Sequence, residues 1–246
     1  MKKILVLLIA GVMFSGTLNA QIHLFLDEQV LTLPDGKVTA WVFPAAASQE
    51  ETLNDLREYL KDRSDLKLKK DGDEMLIAEK VSLPAISTKR GDLIGLCRTT
   101  GQSYSMAIIF KLGYDISLSV AEWPAEMENL HQYAKSFMTF HYEQVYARRI
   151  NDLEKEIKDV EKNRDQTENK IGGITDKINN NSKKIAKETD TAKINALQSE
   201  INTLEADMKQ LMDTLPGLET QLASLKRRID QDRSESSAYL STIATL

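Results

Sequence analysis

The sequence predicts an α+β protein in which a small antiparallel-sheet domain with two helices is followed by a long antiparallel α-helical coiled-coil hairpin. The first observation is that fourteen of the fifteen aromatic residues lie at or before Tyr146, which leaves only Tyr239 beyond it. The second is a pair of heptad seams in the chain after that point. A packed domain uses aromatic side chains to fill volume, whereas a long two-sided helix needs aliphatic seams and charge.

These patterns divide the 246 residues into four segments. Residues 1–20 are predicted to be a signal peptide, and residues 21–146 an α+β globular domain. Residues 147–235 are predicted to form the coiled-coil hairpin, with its turn near residues 188–193, and residues 236–246 an apolar C-terminal tail. Because no Gly/Ser/Pro-rich stretch precedes the hairpin, we expect its boundary to lie inside a helix.

The leader carries the three parts of a secretory signal. Lys2 and Lys3 precede the apolar residues 4–12, and small and polar residues end at Ala20 before Gln21. The apolar run is too short for a bilayer, which needs about 20 such residues. We therefore expect a mature chain that begins near Gln21, has no transmembrane segment, and is periplasmic or extracellular.

The globular domain begins with strand and helix signals. Residues 30–33 and 38–43 flank a Pro-Asp-Gly turn and predict a hairpin. Ser48 and Glu51 form a capping box that starts a helix over residues 49–62.

Further short strands and a second helix complete the domain. The strands are expected over residues 66–68, 75–78, 93–99, 105–111 and 114–120. The second helix begins at Pro124 and carries an apolar face of Met127, Leu130, Ala134, Phe137 and Met138. Two helices packed against one curved antiparallel sheet would bury both apolar faces.

Two seams with spacings of three and four follow. The first is Ile150, Leu153, Ile157, Val160, Arg164, Thr167, Ile171, Ile174, Ile178, Asn181, Ile185 and Glu188. The second is Ile194, Leu197, Ile201, Leu204, Met208, Leu211, Leu215, Leu218, Leu222, Leu225, Ile229 and Asp232.

The second seam is displaced by two positions from the first, a shift that a continuous coiled coil does not absorb. The chain is therefore expected to turn, with Asp190 or Thr191 as the cap. Parallel pairing of the second seam between two chains is the alternative, and it would produce a homo-oligomer.

The middle of the hairpin contains residues that weaken helices. Pro216 removes a backbone donor and should kink the second arm. We hypothesise that Arg164 binds a carbonyl exposed by this kink, or pairs with Glu219. Gly172 and Gly173 should loosen the first arm near Met208.

Beyond the second arm, Tyr239, Leu240, Ile243 and Leu246 make the tail apolar. We expect the tail to dock near the base of the hairpin; a partner-binding peptide is the alternative.

Composition excludes several classes of site. The net charge is −5, and removal of the two leader lysines leaves 30 basic against 37 acidic residues, or −7. This balance argues against binding nucleic acid or an anionic membrane. A single cysteine excludes intramolecular disulfides and CxxC pairs, and three histidines make a histidine-built metal site improbable.

No catalytic, cofactor-binding or metal-binding residue is assigned. Cys97 is interpreted as a buried structural thiol, and His131 and His141 as a surface and a packing histidine.

The absence of a catalytic constellation favours an exported, non-enzymatic scaffold or protein-interaction module. The expected partner is a protein. A holdase-like periplasmic chaperone is one alternative. An enzyme is the other, with an unrecognised site near Trp41, Trp123 and the Tyr114-Asp115 turn, where Glu122 and Glu126 supply carboxylates.

The chain as a whole resembles secreted coiled-coil proteins of Bacteroidetes. The resemblance is carried by the Lys2-Lys3 leader ending at Ala20-Gln21, by the α+β domain and by the rod, and it implies export without implying an activity. Asp190-Thr191-Ala192 and Asp213-Thr214-Leu215 resemble O-glycosylation acceptor sites of such proteins, which makes Thr191 and Thr214 candidate modification sites.

Overall fold

A computed structural model describes residues 23–64, 66–113 and 116–246. The leader of residues 1–20 and the Tyr114-Asp115 turn lie outside these ranges. The chain forms seven strands and three helices in the part described, and the predicted α+β class with a long helical hairpin is confirmed. The elements are β1 (Asp27–Leu33), β2 (Gly36–Ala45), α1 (Gln49–Ser64), β3 (Lys69–Asp71), β4 (Met75–Val81), β5 (Gly91–Thr100), β6 (Ser103–Leu112), β7 (Ile116–Ser117), α2 (Pro124–Ile185) and α3 (Thr191–Thr245).

The strands form one sheet in the order β1-β2-β6-β5-β4-β3, and each neighbouring pair is antiparallel. The short β7 pairs with the end of β6. Two strand predictions differ from this arrangement. Residues 66–68 are not a strand, because the pairing with β4 begins at Lys69. The strand predicted over residues 114–120 is reduced to β7 among its described residues.

One face of the sheet packs against α1 and the first part of α2. The side chains of Phe43, Leu56, Phe110 and Phe137 are fully buried in this main core. Gly95 on β5 permits the close approach of α1, because a Cβ atom there would lie 2.1 Å from Cδ2 of Leu56. The other face carries a second apolar cluster, formed by Leu33, Val38, Ala40, Val42, Ile94, Leu96, Ala107 and Ile109. We call residues 23–146 the head.

The two long helices run antiparallel away from the head and form the rod, residues 147–235. α2 continues without interruption from the head into the rod, and the chain reverses between Ile185 and Thr191. Asp190 caps α3 through its side chain, which accepts a hydrogen bond of 2.9 Å from the Ala192 N–H. All 24 predicted seam positions are buried or half-buried. Each arm is about 60 Å long at about 1.5 Å per residue.

The apolar tail is not a separate segment, because α3 continues through it to Thr245. It docks on the head as the sequence predicts. Ile243 is fully buried in the main core, and Tyr239, Leu240 and Leu246 pack against that core. Nζ of Lys135 also donates a hydrogen bond of 2.9 Å to the carbonyl of Ala244.

The hypothesis for Arg164 is wrong. Its guanidinium pairs with Asp165 at 2.8 Å and lies 3.8 Å from Glu168, both on its own helix. Local carboxylates one and four residues away satisfy this half-exposed cation, so it does not reach across to the Pro216 turn of α3. Pro216 itself lies inside a helix that continues on both sides.

Candidate interaction surface

The rod is held to the head by aromatic and polar contacts at its base. The rings of Tyr146 and Tyr239 stack with centroids 6.0 Å apart, and Tyr142 lies 5.6 Å from Tyr239. The hydroxyl of Tyr142 donates a hydrogen bond of 3.0 Å to the carbonyl of Pro44. These contacts tie the outgoing arm, the returning arm and β2 to one another.

A polar network lies beside this aromatic cluster and consists of Asp55, His141 and Arg148. Nδ1 of His141 lies 2.7 Å from Oδ2 of Asp55. Arg148 donates to both carboxylate oxygens of Asp55, at 2.6 and 3.0 Å. Both Asp55 and His141 are buried, at 1 and 0 % exposure. The network joins α1 to α2 at the point where α2 leaves the head.

The same histidine also binds the sheet. The backbone N–H of Ala46, just after β2, donates a hydrogen bond of 3.1 Å to Nε2 of His141. Because Nε2 accepts this bond, the proton of the neutral imidazole lies on Nδ1 and is donated to Asp55. Both ring nitrogens are therefore engaged within the protein. This geometry suits a structural crosslink between β2, α1 and α2, and leaves no ring nitrogen for proton exchange with a substrate.

The charge of Asp55 is stabilised by its partners. Burial raises its pKa, but the hydrogen bonds from His141 and Arg148 outweigh burial, so that the net shift is below the usual value. The Arg148 guanidinium shows the reciprocal effect, since its bond to Asp55 raises its pKa. The carboxylate is therefore ionised at neutral pH and pairs with the half-exposed Arg148 guanidinium.

Sequence reasoning identified His141 as a packing residue but missed Asp55 and Arg148. The available signal was the position of Asp55, which lies on the same face of α1 as Thr52, Leu56 and Tyr59. A carboxylate at helical spacing within an apolar face requires a partner in the interior. The partners are 86 and 93 residues away, so the periodicity did not identify them.

Cys97 and His131 lie in the head at different depths. Cys97 is fully buried, as predicted, and burial raises its pKa to about 11. His131 is not a plain surface residue, because its ring packs against that of Trp41 with centroids 4.4 Å apart. Burial lowers the pKa of His131. Its partner Trp41 donates from Nε1 to the carbonyl of Met127, at 3.1 Å.

Of the residues named for the alternative enzyme site, Tyr114 and Asp115 lie outside the described ranges, and the others make separate local contacts. Trp123 packs under Lys89, whose Nζ lies 4.2 Å from the ring centroid. Glu122 is exposed and Glu126 half-buried at the start of α2. Over the described ranges, no group of three or more His, Cys, Asp or Glu side chains has the arrangement of a metal site.

The rod is packed most tightly near its base. Its core there contains the buried residues Leu153, Val160, Leu222, Leu225 and Ile229, with Ile150, Ile157 and Leu218 at the margin. Farther out the seam residues are mostly half-buried, and Gly172, Gly173 and Pro216 fall in this outer part. Asn181 and Ile201 are buried again close to the turn, at 5 and 6 % exposure.

The far end of the rod carries an open groove of about 490 Å³. We call it the tip groove; its lining residues are Lys184, Lys187, Glu188, Lys193, Ala196 and Leu197. Thr191 is exposed beside it, and Thr214 is exposed midway along α3. Along the described helices, none is both long enough and apolar enough to cross a membrane.

The comparison with protein families relates the rod to known proteins. The model of the KIF21A-like domain family matches residues 119–237, which include all of α2 and most of α3. No curated protein and no solved structure matches the chain. The similarity therefore covers the last part of the head and the whole rod.

Proposed function

We propose that the protein is an exported, non-enzymatic scaffold or interaction module that presents a coiled-coil rod to a partner protein. The observation that carries this proposal is that the base of the rod is packed much more closely than the arms beyond it. Its base is fixed to the head by buried aromatic and charged contacts, whereas the arms beyond it bury little more than their seam residues. Such an arrangement holds an exposed helical surface at a defined orientation, as a binding module requires.

The similarity of residues 119–237 to the KIF21A-like domain supports an interaction role for the same segment. Support for export comes from the leader, with its basic start, short apolar run and small residues before Gln21. After cleavage the protein would act in the periplasm or outside the cell. Support for a non-enzymatic role comes from the polar network, whose groups are used to join elements of the head.

A holdase-like chaperone is less well supported. Binding of unfolded clients requires exposed apolar surface. Of the rod residues, Met212 is the large hydrophobic side chain that is clearly exposed, at 52 %. Suppression of the thermal aggregation of an unrelated client protein at stoichiometric concentration would favour the chaperone, and no suppression would agree with the scaffold.

Site-specific photo-crosslinking in the native cell tests the proposal. A photoreactive amino acid is placed at the exposed rod positions Lys162, Asn179 and Gln198, and at the exposed head positions Glu28 and Lys61 as controls. The scaffold predicts an adduct of discrete mass from rod positions and none from the head. Adducts from head positions alone, or none from the rod, would contradict it.

The oligomeric state is tested separately on the mature chain. Small-angle scattering with light scattering should show a monomer with a head and a rod of about 60 Å. A dimer about twice as long would show instead that the second seam pairs between chains.

A further inference from the structure

We call residues 181–198, at the far end of the rod, the tip. The net charge of the tip is opposite in sign to that of the rest of the protein. Residues 181–198 contain four lysines, Lys183, Lys184, Lys187 and Lys193, and two acids, Glu188 and Asp190. The net charge of this segment is therefore +2. Since the mature chain carries −7, the remaining residues carry −9. The tip is thus a local basic site at the far end of an acidic molecule.

The two acids of the tip are engaged by the backbone. Oε1 of Glu188 accepts hydrogen bonds from the N–H groups of Thr189 and Asp190, at 3.0 and 3.1 Å. The side chain of Asp190 caps α3. These hydrogen bonds stabilise the turn, and they engage both carboxylates with backbone N–H groups of the turn itself.

The lysines of the tip groove are largely available. Within the residues that the structure covers, Lys184 and Lys187 form no ion pair. Lys193 lies 3.8 Å from Glu188 and its side chain is 66 % exposed, so this pair is long and screened by solvent. An incoming anionic group could therefore bind these lysines without first displacing a strong partner.

The groove also offers an apolar contact. Exposed Ala196 and half-buried Leu197 line it together with the lysine side chains. The aliphatic stems of the lysines extend this surface, because a long cationic side chain buries its stem and keeps its ammonium group in water. A ligand that matches the groove combines several negative charges with one apolar side chain.

We propose that the tip groove is the docking site for an acidic, leucine-containing segment of a partner protein. This inference rests on the proposed scaffold function and adds the location and chemistry of its binding site. Lys184 and Lys187 would pair with carboxylates, and Leu197 would contact the apolar side chain of that segment.

The composition of the tip favours a protein over a nucleic acid or a membrane. A polyphosphate or anionic membrane surface is best met by a large basic field, usually with arginine. Here Glu188 lies among four lysines, the segment has no arginine, and the adjacent arms are neutral or acidic. This mixed surface suits discrete carboxylates more than a continuous row of phosphates.

Titration of a synthetic peptide onto the full mature protein tests the site. The probe is a peptide with six acidic residues around one leucine, followed by amide chemical shifts. The expected result is a saturable shift at residues of the tip groove. Lys184→Glu with Lys187→Glu should weaken binding at least tenfold, and Leu197→Ala at least threefold. The matched control, Lys158→Glu with Lys162→Glu, places the same charge change on exposed positions lower on the rod and should leave binding unchanged.

Four results would overturn the site. The first two are the absence of any saturable shift, and peptide binding without shifts at the tip. The other two are equal binding by the tip and control variants, and tighter binding of single-stranded RNA or phosphatidylserine vesicles than of the peptide. Circular dichroism of each variant shows whether the rod remains helical. If the double variant Lys184→Glu with Lys187→Glu still gives crosslinks from Lys162, the tip groove is not the docking site but the scaffold proposal stands. If no rod position gives an adduct, the scaffold proposal itself is refuted.

Discussion

Nδ1 of His141 lies 2.7 Å from Oδ2 of Asp55, although 86 residues separate them in sequence. The contact is completed by Arg148 on the same carboxylate and by the Ala46 N–H on the other ring nitrogen. Since His141 and Arg148 lie on α2, the network sets the position of the helix that becomes the outgoing arm of the rod. The orientation of the rod is thus determined inside the head.

Removal of Asp55 should unfold the head at lower denaturant concentration. Asp55→Ala leaves His141 buried without its acceptor and Arg148 without its partner. The buried ring N–H of His141 that loses its acceptor costs about 1–3 kcal/mol, whereas the Arg148 side chain is 39 % exposed and is solvated by water. Urea denaturation followed by circular dichroism measures this loss. Asp62→Ala, at an exposed position of the same helix, should change stability by less than about 0.5 kcal/mol. Equal effects of the two variants would show that the network does not stabilise the fold.

The same carboxylate predicts a pH dependence. The pKa of Asp55 is lower in the folded chain than the usual value of about 4. Its contribution to stability is therefore complete above that value and is lost as the pH falls through the lower, folded pKa. The stability difference between wild type and Asp55→Asn should be large at pH 7 and shrink below about pH 4. Denaturation curves at pH 7, 5 and 3 measure it, and a difference that is constant with pH would contradict the assignment.

Cys97 should be unreactive in the native protein. Its pKa is raised to about 11 by burial, so that at pH 8 about one thiol in a thousand is ionised, and the side chain is also inaccessible. Alkylation by iodoacetamide at pH 8 should be negligible until urea unfolds the head. Gln102→Cys, in the exposed turn between β5 and β6, supplies a fast-reacting control thiol. Equal native rates for the two thiols would be inconsistent with a buried structural cysteine.

Alanine should strengthen the outer rod at its glycines. A Cβ atom at Gly172 or Gly173 would have no neighbour within 4 Å, so alanine fits at both positions. Each change should stabilise the helix by up to about 1 kcal/mol. Differential scanning calorimetry measures the transition of the rod. Gly101→Ala is the opposite control, because Gly101 has φ of +64° and alanine should destabilise its turn. No change with the rod variants would mean that these glycines do not weaken the arm.

Asn181 should limit the stability of the rod near its turn. It is 5 % exposed, and among the described atoms its Nδ2 has no hydrogen-bond partner. An unsatisfied buried donor costs about 1–3 kcal/mol, so Asn181→Leu should raise stability by a similar amount. Asn180→Leu, on the exposed side of the same turn, should have little effect. Light scattering should accompany the measurement, because a buried asparagine in a seam also selects register and oligomeric state. A drop in the stability of Asn181→Leu would show that the amide is satisfied.

The rod was predictable because its signal is local and repeated. Each seam position differs from its neighbours in polarity, and the displacement of two residues between the seams identifies the turn without knowledge of the head. The partner of Arg164 was predicted wrongly for the opposite reason. Its choice between Asp165, Glu168 and Glu219 depends on distances of a few ångströms, which periodicity does not contain.

The polar network could not be derived from the sequence in the same way. Its members come from α1 and from two turns of α2, and only packing of the two helices on the sheet brings them together. Asp55 was visible as an acid on an apolar face, but Arg148 resembles the other charged residues around it. The bounds of β3 depend likewise on pairing with β4, since Lys69, Lys70 and Asp71 lack any strand signal of their own.

The returning helix also has a consequence for the order in which the molecule can form. Ile243 is part of the main core of the head, and Lys135 contacts the carbonyl of Ala244 across 109 residues of chain. A nascent chain that emerges with its amino terminus first can pair its strands early, but it cannot close this core until both arms have been synthesised. The last turns of α3 therefore supply the residues that complete the core of the head.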